Sequence, residues 1–310
     1  MKYKISFEFF PFSVFKPPIN EKFLALARKY MKVPRFIYKD KSLTVTRHEI
    51  VGYDGEMIEV FLMSPVGISD PQPCLYYIHG GGFVLPAADY HYKNAMRYAK
   101  EASCKVVFVN YRLAPVYPHT TFFEDCYSAM CWLYDNAVEL GIDASRIGIG
   151  GDSAGSALSV GTIMMARDRE HPIRFLFQML PYPYLDARNN SESCKRFVDT
   201  PMWNSTLSQK IAPMTRVDRE SPYYLYYSPV EAEDLSFLPP AYIEVAEYDC
   251  LHDDGVLYRE LLEGAGVPVT FNETVGTMHG FDIMQNAKIT KAALRRRIEF
   301  MKQMFYGDEA

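Results

Sequence analysis

The chain has 310 residues, 48% of them hydrophobic, with 33 basic against 38 acidic side chains and a formal net charge of −5. That content suffices for a large core in one domain, and the mixed, mildly acidic balance without a basic stripe excludes nucleic acid as the expected partner. No apolar run approaches the ~18 residues of a membrane span.

The start is rich in phenylalanine (Phe7, Phe9, Phe10, Phe12, Phe15). Glu8, Pro11 and Lys16 break it and no small-residue cleavage site follows, so it reads as mature protein rather than a signal segment. Residues 21–32 carry a helical pattern. Leu43–Ile50 and Glu56–Met63 read as two strands around the turn Gly52–Gly55. Further β-type runs follow at Leu75–Ile78, Lys105–Val109, Ile147–Ile149, Phe175–Leu180, Ala241–Val245 and Val267–Phe271. Between most of them lie helical patterns at Tyr90–Ser103, Phe122–Leu140, Ala154–Arg169, Asp254–Gly264 and Ala287–Met304. Strands alternating with helices predict a mostly parallel sheet flanked on both faces. The opening hairpin makes it mixed, and ligands belong at the carboxyl ends of the strands. From about Asp186 to Pro239 no strand is evident, and so long a segment reads as a helical insertion over the site, together with residues 1–40. The expected division is an N-terminal cap segment 1–42, a core 43–186, a cap insertion 187–236 and the remaining core 237–310.

The most informative stretch is Arg146–Gly155, where a short apolar run meets Gly151-Asp-Ser-Ala-Gly155 and then a helical pattern. Strand, tight turn and helix are the context in which Gly-x-Ser-x-Gly forms a nucleophile elbow around Ser153. Gly151 and Gly155 leave room at the turn, and the Ala154 amide sits at a helix start, free to donate to an anion. Read alone, the pattern also fits a plain glycine-rich turn.

His79-Gly-Gly-Gly-Phe83 follows a predicted strand. Its glycines let Gly81 and Gly82 point amides at a ligand, so that with Ala154 they make an oxyanion hole; the bland reading is a flexible loop. Of seven histidines (48, 79, 91, 119, 171, 252 and 279), His279 has the best context for a base, following the last predicted strand after a loop Glu273–Met278. His252 is a rival, and His79 is expected to brace the glycine loop. The orienting acid belongs between nucleophile and base in chain order. Asp249 fits, with Glu247, Asp253 and Asp254 as rivals; Asp254 reads better as a helix N-terminal residue favoured by the dipole. His279 would then take the Ser153 proton while Asp249 orients its ring.

Six cysteines are scattered without a Cys-x-x-Cys pair, so reduced thiols in a cytoplasmic protein are expected, and Cys250 reads as a buried apolar thiol.

These residues resemble the hormone-sensitive lipase family of α/β-hydrolase-fold carboxylesterases. The resemblance runs from about residue 73 to 283. It rests on His79–Phe83, Asn110-Tyr-Arg-Leu-Ala-Pro115, Gly151–Gly155, Leu238-Pro-Pro-Ala241, Glu247–Gly255 and His279-Gly-Phe281. It implies a mostly parallel eight-stranded sheet with a helical cap, Ser153, Asp249 and His279 as triad, and Gly81, Gly82 and Ala154 as oxyanion hole. His79, Gly80 and Asp152 support them. Val116 and Cys250 depart from the family's usual Glu and Pro. The expected activity is serine-dependent hydrolysis of small, short-acyl esters, acetyl esters among them, with no cofactor and no metal. A receptor without catalysis, a lipase and an amidase are the alternatives. The partner is a small-molecule ester, and a homodimer could form through the edge strand near Val267–Phe271.

Overall fold

The computed structural model describes residues 2–307. An N-terminal segment carries α1 (Glu21–Tyr30), whose start is capped by the Asn20 side chain accepting the Phe23 amide at 2.9 Å. The hairpin strands β1 (Leu43–Val51) and β2 (Met57–Pro65) follow, then β3 (Gln72–Ile78), α2 (Asp89–Glu101), β4 (Lys105–Asn110), α3 (His119–Asp135), β5 (Ile142–Gly151) and α4 (Ala154–Asp168). After β6 (Gln178–Pro181) come three short helices, α5 (Glu192–Arg196), α6 (Ser205–Thr215) and α7 (Tyr224–Tyr227). The chain closes with β7 (Ala241–Tyr248), α8 (His252–Gly264), β8 (Val269–Met278) and α9 (Lys288–Tyr306).

The eight strands form one sheet in the order β1-β2-β4-β3-β5-β6-β7-β8. β2 is antiparallel to both neighbours and all later pairings are parallel. Central strands are apolar on both faces, as a covered parallel sheet requires. Tyr76, Ile78, Val107 and Val109 face the core under α3, α4 and α8, while Leu75, Tyr77, Val106 and Phe108 face the core under α2 and α9. No helix among the described residues is long and apolar enough to cross a membrane.

Register decides where the chemistry falls. Ile78 pairs with Gly151, so His79–Gly82 and Ser153 leave β3 and β5 side by side. Tyr248 pairs with Met278, so Asp249 and His279 leave β7 and β8 side by side. The expected loop Glu273–Met278 is instead strand. Gly276, at φ 72°, kinks it and gives its amide to the Glu247 carboxylate at 2.7 Å, and a register shift between Ala246 and Tyr248 absorbs the irregularity, so pairing continues to Met278, the residue before His279. β5 starts earlier than its apolar run Ile147–Ile149, and β6 is only four residues long. The edge strand β8 is partly covered, because the Ser6 amide donates to the Gly276 carbonyl at 2.8 Å.

α9 drives a charge into the sheet's end. Arg297, 1% exposed, bonds Glu244 of β7 at 2.5 Å and Asp282 at 2.8 Å, and both carboxylates are fully buried. Removing one member of such a group strands the others in low dielectric. Arg297→Leu is therefore expected to lower unfolding free energy by about 3–5 kcal/mol, read as a fall in the urea midpoint; an unchanged midpoint contradicts this.

Candidate active site

Ser153 stands between β5 and α4 with φ 55° and ψ −121°, a conformation L-residues rarely adopt. The strain is imposed from both sides. A Cβ on Gly151 would meet the Ile78 and Gly155 carbonyls, and a Cβ on Gly155 would meet the Ile78 and His79 backbone. The Ser153 amide donates to the Pro181 carbonyl at 3.1 Å, which ties the turn to the end of β6.

The Ser153 hydroxyl lies 2.8 Å from His279 Nε2, and His279 Nδ1 lies 2.7 Å from the Asp249 carboxylate. Asp249 is fully buried and also accepts the Leu251 amide at 3.0 Å. A carboxylate accepts only, so Nδ1 carries the ring proton and Nε2 is left to accept from Ser153. The amides of Gly81, Gly82 and Ala154 make no protein hydrogen bond among the described residues. Gly82 and Ala154 line the same cavity as Ser153, and Gly81 immediately precedes Gly82; free donors beside a nucleophile are what an oxyanion needs.

The rival residues stand elsewhere. His252 pairs with Asp253 at 2.9 Å and with Glu273 at 3.5 Å, and Glu247 holds Gly276. Asp254 lies in the first turn of α8, as expected of a helix N-terminal residue. It is buried and accepts the Leu185 and Asp186 amides, each at 3.2 Å; burial and the neighbouring Asp186 push its carboxyl well above the usual range. Cys250 is buried, and burial raises its thiol. Val116 is exposed.

The supporting residues form a layer beneath the site. His79 gives Nδ1–H to the Gly80 carbonyl at 2.6 Å and stacks on Tyr111 at 4.5 Å. Burial, with His91 beside it, holds its ring down at about 3. Asp152 is buried, which opposes ionisation, but His91 and the Tyr77 hydroxyl hold its carboxyl at about 2.

Two contacts at the site carry no motif. Trp203, ahead of α6, roofs the glycine loop so closely that a Cβ on Gly82 would come within 2.7 Å of its ring. Its indole N–H donates to Ser208 at 2.9 Å, and its ring centre is 6.2 Å from that of His279. Tyr182, just after β6, sets its ring edgewise on His279 at 5.1 Å. The segment that bears Trp203 is tied to the N-terminus: Met202 donates to the Phe15 carbonyl at 2.8 Å, and Tyr3 to Asp199 at 2.5 Å.

The cavity beside Ser153 holds about 30 Å³, bounded by Gly82, Phe83, Trp203, Ile211 and Tyr227. Tyr184, Asn189, Ser208, Ala212 and Tyr227 separate it from an outer chamber of about 360 Å³.

A sheet of this topology, carrying a strained serine, a histidine and an aspartate at its carboxyl edge, defines an α/β hydrolase. Residues 75–283 match the α/β hydrolase fold family. The chain is 38% identical over 236 residues to carboxylesterase NlhH of Mycobacterium tuberculosis, covering 74% of this chain and 73% of that protein. It is 35% identical to ethyl acetate hydrolase of Pseudomonas putida over 241 residues, 74% of this chain and 72% of that one. The solved structure of a bacterial heroin esterase superposes with a TM-score of 0.81 at 31% identity, over 92% of this chain and 90% of that one. The chain belongs to the hormone-sensitive lipase-like carboxylesterases of the α/β-hydrolase fold and is a carboxylic ester hydrolase.

The low value at His79 has a consequence for stability. The unfolded ring takes a proton near its ordinary 6.5, while the folded ring resists until about 3. Between these the unfolded chain binds more protons, so stability falls as pH falls through that window, by up to about 1.4 kcal/mol per pH unit. His79→Asn is expected to flatten the slope of unfolding free energy between pH 6 and 4 (about one proton's worth). An identical slope in both proteins contradicts this.

Proposed function

We propose that this protein hydrolyses short-acyl carboxylic esters, acetyl esters foremost, through a Ser153 acyl-enzyme. The observation that carries the proposal is the unbroken line Ser153–His279–Asp249 at 2.8 and 2.7 Å beside a cavity of about 30 Å³. In the first half-reaction His279 Nε2 takes the hydroxyl proton as Ser153 Oγ bonds the ester carbonyl carbon. The carbonyl oxygen becomes an oxyanion facing the Gly81, Gly82 and Ala154 amides, one such donor being worth roughly 3–4 kcal/mol. Asp249 stabilises the imidazolium. His279 returns the proton to the departing alkoxide, and the C–O bond breaks. Water then repeats the sequence on the acyl-enzyme, with His279 as base, and frees the acid and Ser153.

The acyl preference follows from where the proton must go. The leaving oxygen needs the His279 proton, so the alcohol lies on the His279 side. The acyl group lies on the other side, in the cavity that His279 does not border. A cavity this small, walled by Trp203, Ile211 and Tyr227, favours a short acyl group over a long one. A longer chain must displace Trp203 or Ile211, or push between Tyr184 and Tyr227. The name of the Pseudomonas putida relative, ethyl acetate hydrolase, supports the same reading.

The test is a p-nitrophenyl ester series from acetate to octanoate. Efficiency is expected to peak between acetate and butyrate and to fall at least ~10-fold by octanoate, which is about 1.4 kcal/mol of misfit. Trp203→Ala moves the peak to longer chains. Ser153→Ala loses on the order of 10⁶-fold in kcat, as triads do when the nucleophile is removed. A preference for octanoate removes the short-acyl reading, and an active Ser153→Ala removes the nucleophile.

A further inference from the structure

His279 reaches Ser153 across β6 and β7, three strand steps or about 14 Å at ~4.8 Å each. Nothing in the triad itself holds that reach. The groups beneath it do, and one helix supplies the key contacts. His91, Asn94 and Tyr98 lie on one buried face of α2, at the i, i+3 and i+7 spacing of a single stripe.

His91 faces the nucleophile side. Its Nδ1 accepts the Ala88 amide at 2.8 Å, which leaves Nε2 as the proton-bearing nitrogen, 3.1 Å from Asp152. The Tyr77 hydroxyl donates to the other Asp152 oxygen at 2.6 Å. That carboxylate packs under the glycine loop, where a Cβ on Gly80 would come within 2.6 Å of it. Asp152 is thus wedged between the residue before Gly81 and the residue after itself, Ser153. It spaces the nucleophile from the two amides of the loop.

Asn94 faces the base side. Its amide donates to Asp282 at 3.0 Å, three residues beyond His279. The Tyr182 hydroxyl donates to the other oxygen of Asp282 at 2.7 Å, and Arg297 completes the cage at 2.8 Å. Tyr98 also bonds Arg297, at 3.1 Å. Tyr182 carries the ring on which His279 leans. It sits at φ 36°, and its amide donates to the Glu244 carbonyl at 2.5 Å, so strain and hydrogen bonding fix the ring's place. Buried charges are costly to desolvate, and Asp282 meets that cost with partners on both carboxylate oxygens.

We propose that α2 is a positioning element for both halves of the site. Through His91 and Asp152 it sets the distance from Ser153 to the oxyanion hole; through Asn94, Asp282 and Tyr182 it sets the seat of His279. The proposal rests on Ser153 and His279 acting as proposed above. The two arms act on different quantities. Loosening the first misplaces the oxyanion donors and lowers kcat without touching the base. Loosening the second weakens the His279–Asp249 pair, which stabilises the imidazolium, so the base protonates at lower pH.

The test is steady-state kinetics on an acetyl ester across pH for the wild type, His91→Ala, His91→Gln and Tyr182→Phe, each with its melting temperature. Gln can still donate to Asp152, and Phe keeps the ring but loses the hydroxyl. His91→Ala is expected to lose ~10–100-fold in kcat with KM within ~2-fold, the range sub-ångström misplacement produces. His91→Gln recovers most of that loss, and neither moves the acid limb of the profile. Tyr182→Phe loses ~10-fold in kcat and moves the acid limb to lower pH. The proposal is overturned if folded variants keep the wild-type kcat and acid limb, or if only KM changes. Tyr182→Phe, nearly isosteric, decides the matter should His91→Ala not fold. An inactive wild type would instead remove the esterase reading itself.

Discussion

A serine held at φ 55° and ψ −121° is the constraint on which the rest depends. The turn lifts the hydroxyl clear of the sheet and leaves the Ala154 amide open at the start of α4. It is held because β5 lies against β3 with Gly151 paired to Ile78, and because no Cβ separates Gly155 from the Ile78 carbonyl. The backbone strain, of order 1–3 kcal/mol, is offset by burial along α4, whose residues are covered through Ala166. Once the elbow is set, the parallel register places every other group. The glycine loop leaves the strand on one side; Asp249 and His279 leave the last two strands together on the other.

Much of this was legible in the residues because the chemistry leaves no freedom there. Gly151, Gly155 and Gly80–Gly82 stand where a side chain would collide with backbone or with Trp203, and Ser153, Asp249 and His279 follow the one chain order this topology allows. Helix and strand identities were legible as well, since apolar period marks them. Boundaries were not. Strand β8 continues through Gly276 to Met278 because Glu247 caps the kinked amide, a contact between residues 29 apart that no local pattern carries.

A cover over the site was legible as a long strandless segment; which of its residues touch the site, and the charges beneath it, were not. Trp203 reads in sequence as one apolar residue of the helical insertion; only the fold brings it onto Gly82. Arg297 lies in a helical pattern, Glu244 in a strand run and Asp282 just past the His279 motif, and no local pattern links the three. They are buried where Arg297 of α9 meets Glu244 of β7, and the three charges bond one another and the hydroxyls of Tyr98, Tyr182 and Tyr242, while Arg297 Nε has no partner among the described residues. Motifs mark atoms that touch substrate. The groups that aim them are scattered from residue 77 to 297, and only His91, Asn94 and Tyr98 on α2 share a spacing.

The central claim is that Ser153 is a nucleophile made reactive by His279, and its adduct is the most direct evidence. Diethyl p-nitrophenyl phosphate traps such a serine: Oγ bonds phosphorus, p-nitrophenolate leaves, and the His279 imidazole takes the proton. Peptide mass spectrometry after brief exposure is predicted to find a single diethylphosphoryl group, on the peptide bearing Ser153, and none in His279→Ala over the same time. A folded wild-type protein that stays unmodified, or carries the group on another residue, would contradict the account.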